Sequence, residues 1–241
     1  MSDQYFSMLP YILLATGAGI AGSVIALFWR PGSRARSAIQ HFAAGAVLAA
    51  IASNVVPDIE RTGTFAGIIS GFIAGGCAMV ALKWIVLRIE KQKDRKGNFP
   101  VGLPAAAAMD TLIDGMIISA GFSTTPQLGT ILTIALGLEL FFLTLSVGVE
   151  IRKSNLKAWQ SLAFTLGIAF SLLVGATLAS FLLADASNAT LAIVLSFGSA
   201  ALIYLIAEEL LVETIQAEES IFSTVMLFSG FLTLLVLKLI G

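Results

Sequence analysis

The chain is expected to be an all-α polytopic membrane protein: eight transmembrane helices in one bundle, with the N- and C-termini outside. Three observations predict this. Apolar residues make up 57% of its 241 positions and charged residues only 12%, against a charged share of about a quarter in soluble globular proteins, so an ordinary soluble enzyme is excluded. Eight successive windows of predominantly apolar residues are each about 20 long, the length a helix needs to cross a hydrocarbon core about 30 Å thick. The basic residues fall almost wholly in alternate connections, the pattern left by insertion when Lys and Arg stay on the cytoplasmic side.

The windows place helices near residues 8–29, 38–57, 65–88, 101–122, 128–151, 159–183, 189–211 and 220–240, so that 1–241 form a single transmembrane domain. Asp3 stands ahead of the first window and no basic n-region precedes it, so that run is read as a mature span rather than a secretory signal. Arg30, Arg34 and Arg36 follow the first helix. Arg88, Lys91, Lys93, Arg95 and Lys96 follow the third, most of them in a basic loop over 89–100, and Arg152, Lys153 and Lys157 follow the fifth. Arg61 and Lys238 lie on the other side. These loops are therefore expected in the cytoplasm and both termini outside, which requires an even number of spans.

Small residues set expectations for packing. Gly67, Gly71 and Gly75 repeat every four residues in the third helix, giving a smooth face for another helix, and Gly17, Gly19 and Gly22 cluster in the first. Cys77 is read as a small packing residue. One cysteine and one histidine exclude zinc-finger and zincin chemistry, and His41, near the start of the second helix, is read as interfacial. The run Ser53-Asn54-Val55-Val56-Pro57-Asp58 gives the second helix a proline-bounded end and sets an acid at the outer mouth.

Ionisable residues at bilayer depth cost about 2.5 to 3.5 kcal/mol each on insertion scales and mark function. Asp110 and Asp114 lie four apart in the fourth helix, so both carboxylates project from one face. Asp110 falls roughly 14 Å from the cytoplasmic end at 1.5 Å per residue, and Glu139 falls at a similar depth in the fifth helix. Two ionised carboxylates about 6 Å apart at an effective dielectric near 20 repel by roughly 3 kcal/mol, so the site must hold a proton, a basic partner or a cation. No Lys or Arg falls at that depth, leaving the proton or the cation. Carboxylates are hard ligands suited to Mg²⁺, Mn²⁺, Fe²⁺ or Ca²⁺, and they also bind Zn²⁺. Glu208, Glu209 and Glu213 near the cytoplasmic end of the seventh helix, with Asn54 and Asp58 at the opposite mouth, trace a cation path through that midplane.

These residues resemble the ZIP (Zrt/Irt-like) family of divalent metal transporters over most of the chain. His41-Phe42-Ala43-Ala44-Gly45-Ala46-Val47-Leu48, running to Val55-Val56-Pro57-Asp58, looks like that family's small-residue second helix ending in a Leu-Pro-Glu-type motif. Asp110-Thr111-Leu112-Ile113-Asp114-Gly115 is similar to its His-Asn-x-Pro-Glu-Gly pattern, with Asp110 on the His, Thr111 on the Asn and Asp114 on the Glu. Gly137-Leu138-Glu139-Leu140-Phe141-Phe142-Leu143 follows the related fifth-helix pattern, with Glu139 on the first ligand and Leu143 on the second carboxylate. Ala207-Glu208-Glu209-Leu210-Leu211-Val212-Glu213 resembles the pattern His-Glu-x-x-Pro-Glu, with Glu208 replacing His. In the sixth helix Leu172-Leu173 stands where the family often has Glu-Pro.

The resemblance implies a three-plus-two-plus-three bundle with an inverted repeat and a metal site of Asp110, Thr111, Asp114 and Glu139. It also implies transport of a divalent cation toward the cytoplasm, with Zn²⁺, Mn²⁺, Fe²⁺ and Cd²⁺ as candidates, while the choice between proton and cation at the crowded carboxylates adds the expectation of a link to protons. The expected partners are that ion and the lipid bilayer, not nucleic acid, with a homodimer as the assembly to test and a bacterial inner membrane as the location. No catalytic residue and no resident cofactor are expected. An intramembrane aspartyl protease also needs two buried aspartates, but on facing helices, whereas Asp110 and Asp114 share one. A transport-inactive scaffold or sensor is the third class.

Overall fold

The computed structural model describes residues 2–29, 31–93, 102–152, 157–216 and 221–240, all in helices and short connections, with no strand among them. The helices are α1 (Ser2–Phe28), α2 (Ser33–Ala50), a π turn (Ile51–Val55), α3 (Val56–Thr62), α4 (Phe65–Lys93), α5 (Gly102–Thr124), α6 (Pro126–Arg152), α7 (Ala158–Leu182), α8 (Asn188–Gln216) and α9 (Ile221–Ile240). Eight segments are long and apolar enough to cross a membrane; the second is α2, the π turn and α3 taken together. This is a multi-pass membrane protein. Loop residues Arg30, Arg95, Lys96 and Lys153 and the side chains of Lys91, Lys93, Glu209 and Glu213 lie outside the described residues.

The second span departs from expectation, because it continues through Pro57 to Thr62 instead of ending there. A proline inside a helix withholds the N–H that would reach back four residues, which here leaves the Ser53 carbonyl unserved. The chain accommodates this in two ways. The π turn widens the backbone immediately before the proline, and the Lys238 ammonium from α9 donates to the Ser53 carbonyl.

Four helix pairs, α1 with α6, α2 with α9, α4 with α8, and α5 with α7, carry the most extensive contacts. Each closes on a glycine set against a backbone carbonyl, where a Cβ would collide. Gly22 meets Phe141, Gly230 meets Phe42, Gly75 meets Phe197, and Gly175 meets Leu112. Without a hydrophobic drive between helices in lipid, backbone approach of this kind supplies the packing energy. The glycine face of α4 is thereby used up on α8, since Gly71 also sits against the Ile193 carbonyl. Cys77, by contrast, is exposed and packs against no core, because it lies off that face.

Polar contacts gather at one end of the bundle. Arg36 Nη1 lies 3.2 Å from Glu150 Oε2, joining the start of α2 to the end of α6, and Arg152 donates to the Leu27 carbonyl at the end of α1. The Arg88 guanidinium stacks 3.7 Å above the Trp84 ring, a pairing suited to a membrane interface. The segments holding α2, α5 and α6 are the most enclosed, while those of α4 and α9 present most of their surface outward.

Candidate metal centre

Asp110, Asp114 and Glu139 converge in the enclosed centre, each offering a carboxylate oxygen within 4.8 Å of the others. Two come from α5 at helical spacing and one from α6, and all three are buried, at 7%, 1% and 7% relative exposure. Asp110 Oδ2 has no hydrogen-bond partner among the described residues. At about 5 Å and an effective dielectric near 20, each ionised pair repels by roughly 3 kcal/mol. A positive charge among the oxygens, as a metal ion or as bound protons, relieves that repulsion.

Thr111 is fully buried beside the cluster, and its hydroxyl donates to the Ala107 carbonyl at 2.7 Å, so its oxygen lone pairs face away from its proton. His41 lies elsewhere, with Nδ1 2.7 Å from the Ser37 carbonyl of its own helix. Leu143 stands at the edge of the same region, lining a cavity that also reaches Asp110.

That cavity, of about 320 Å³, runs between α4, α5 and α8 and is lined by Asp110, Lys83, Tyr204 and Glu208 among apolar side chains. Lys83 Nζ lies 2.6 Å from Glu208 Oε1, and Tyr204 shares a hydrogen bond with the same carboxylate. Glu208 thus stands on a route to Asp110, whereas the side chains of Glu209 and Glu213 lie outside the described residues. Sequence reasoning passed over Lys83 and Tyr204. The available signal was that Lys83 is the one basic residue inside the apolar stretch between Phe65 and Val86, and such a residue is retained only beside a cavity or a partner.

At the other end, a second cavity of about 250 Å³ is lined by Ser53, Asn54, Asp58, Arg61, Gln127 and Lys238, among others. The structure brings Asn54 and Asp58 together there. None of the three clustered carboxylates lines it, and two cationic side chains outnumber its one acid. In this conformation the cluster communicates with the Lys83 end alone of these two cavities.

No protein-family model matches the chain, and no curated protein matches it either. The site must be read from its own chemistry.

Proposed function

We propose that the chain is a divalent-cation carrier of the ZIP type that moves a metal ion toward the cytoplasm through the Asp110–Asp114–Glu139 site. One observation carries this reading: three buried carboxylates from two helices meet within 4.8 Å, and one of them, Asp110, lines a cavity at one end of the bundle. A protease would need a water held between aspartates of facing helices, and here both aspartates belong to α5. The oxygen-only ligand set favours broad selectivity among Mn²⁺, Fe²⁺, Cd²⁺ and Zn²⁺, because hard ligands discriminate by charge and size.

The helix neighbours support an inverted three-plus-two-plus-three arrangement. Exchange the first three spans with the last three, in order, and the two central spans with each other. The pair α1–α6 then becomes α7–α5, and α2–α9 becomes α8–α4; both products are pairs that pack extensively. The lesser contacts follow, α2–α6 becoming α8–α5. Such repeats are the usual basis of alternating access, in which one bundle rocks against the other about a midplane site. The reading orients the Lys83 cavity toward the cytoplasm, with Arg36, Arg88 and Arg152 at the same end, and leaves both termini outside.

Uptake of ⁵⁴Mn²⁺ or ¹⁰⁹Cd²⁺ into proteoliposomes tests this directly. Uptake that disappears with Asp110→Asn supports the carrier. Binding without uptake supports a scaffold or sensor, and neither binding nor uptake removes the metal reading.

A further inference from the structure

The two cavities are built on the same plan. Gly75 of α4 packs on the Phe197 carbonyl of α8, and Gly230 of α9 packs on the Phe42 carbonyl of α2. Lys83 follows Gly75 by eight residues and meets Glu208, which follows Phe197 by eleven. Lys238 follows Gly230 by eight residues and meets the carbonyl of Ser53, which follows Phe42 by eleven. Same glycine contact, same offsets, same ammonium: the two lysines occupy equivalent positions at opposite ends of the protein. Each lines a cavity with an acid close by, Glu208 and Asp110 at one end and Asp58 at the other.

Packing alone does not account for a lysine at both places. Lys83 lies within the apolar span of α4, where an ammonium is costly, and Lys238, in the last turn of α9, turns back onto an oxygen of the π turn just as Lys83 turns onto one of α8. What both positions share is a vestibule through which a cation would pass. A fixed positive charge there repels a divalent ion and occupies the oxygens that the ion would otherwise touch.

We propose that Lys83 and Lys238 are the resident cations of the two vestibules, each holding the oxygens of its own end until a metal ion displaces it, so that together they set the affinity with which each side takes up metal. This rests on the metal-carrier reading and adds two residues to it. In the conformation described here Asp110 of the cluster lines the same cavity as Lys83, so Lys83 is the one in competition. Glu208 then serves as a metal station beside the cluster, freed when the ammonium swings aside.

Equilibrium binding of Cd²⁺ to the full chain in detergent micelles, read as Kd, tests the proposal. Lys83→Gln tightens binding by about tenfold, because a repelling charge leaves the cavity and an oxygen ligand is released. Glu208→Gln strands the ammonium next to Asp110 and weakens binding. In the double variant Lys83→Gln still removes a stranded ammonium but no longer releases an oxygen ligand, so the combined Kd departs from the product of the single effects. Lys83→Met reads the same quantity should the glutamine variant fail to fold. Lys238→Gln shifts Kd by less, since its cavity does not reach the cluster. An unchanged Kd in Lys83→Gln, or an equal tightening by Lys238→Gln, overturns the proposal and leaves the metal site standing. A wild-type chain that binds no Cd²⁺ removes the metal reading itself, and the proposal with it.

Discussion

Asp110 and Glu139 hold equivalent positions in their helices. Each lies two residues before a carbonyl, that of Leu112 or Phe141, on which a glycine of another helix, Gly175 or Gly22, is packed. The same register makes Leu143 the counterpart of Asp114, four residues on in each helix. Where α5 carries its second acid, α6 carries an apolar side chain, one that lines the cavity reaching Asp110.

Supplying that acid in α6 is the first prediction. Leu143→Asp places a fourth carboxylate beside a cavity that already reaches Asp110. Metal affinity rises by about tenfold through the added charge–charge attraction. Calorimetric titration of Cd²⁺ checks it, and an affinity equal to or below wild type in a folded variant counts against the equivalence.

Removing a ligand acts in the other direction. Asp114→Asn and Asp110→Asn each cut uptake by about tenfold or more, the cost of losing a charged contact to the ion. Metal-free stability holds or rises, because a like-charge repulsion is relieved. Uptake at the wild-type rate in both variants would sink the site assignment.

Under the proposed carrier function, protons and metal compete for the same oxygens. Each metal ion bound releases protons, and affinity falls as pH drops through the acidic range. Glu139→Gln keeps the side chain's size while removing one proton-binding group, so it reduces the protons released per ion. Titrations in buffers of different ionisation enthalpy measure that number. Zero release in wild type and variant alike means these acids do not hold the metal.

Gly22 offers a test of packing independent of metal. A side chain there meets the Phe141 carbonyl and lies 2.5 Å from Thr144 Oγ1, so Gly22→Leu forces α1 off α6 and costs about 1–3 kcal/mol. Gly17 has nothing within 4 Å of an added Cβ, and Gly17→Ala is neutral or gains up to about 1 kcal/mol from helix propensity. Thermal unfolding in detergent separates the two, and equal melting temperatures would refute the close approach.

Much of this protein is written locally. Eight apolar runs define eight helices, since lipid leaves the backbone no partner but its own carbonyls, and the four-residue spacing of Asp110 and Asp114 sets both on one face of α5. Burial depth counted along the chain brought Glu139 within reach of them. What local pattern could not determine was register between helices remote in sequence. Lys83 finds Glu208, and Lys238 finds the Ser53 carbonyl, only because Gly75 and Gly230 let particular turns of α4 and α9 slide against α8 and α2. Pro57 reads as a helix end in isolation; a lysine 181 positions later in the sequence serves the carbonyl it abandons and lets the span continue. Helix formation is settled by each segment's own hydrogen bonds and apolarity, whereas the meeting of charges depends on tertiary contacts that no single segment contains.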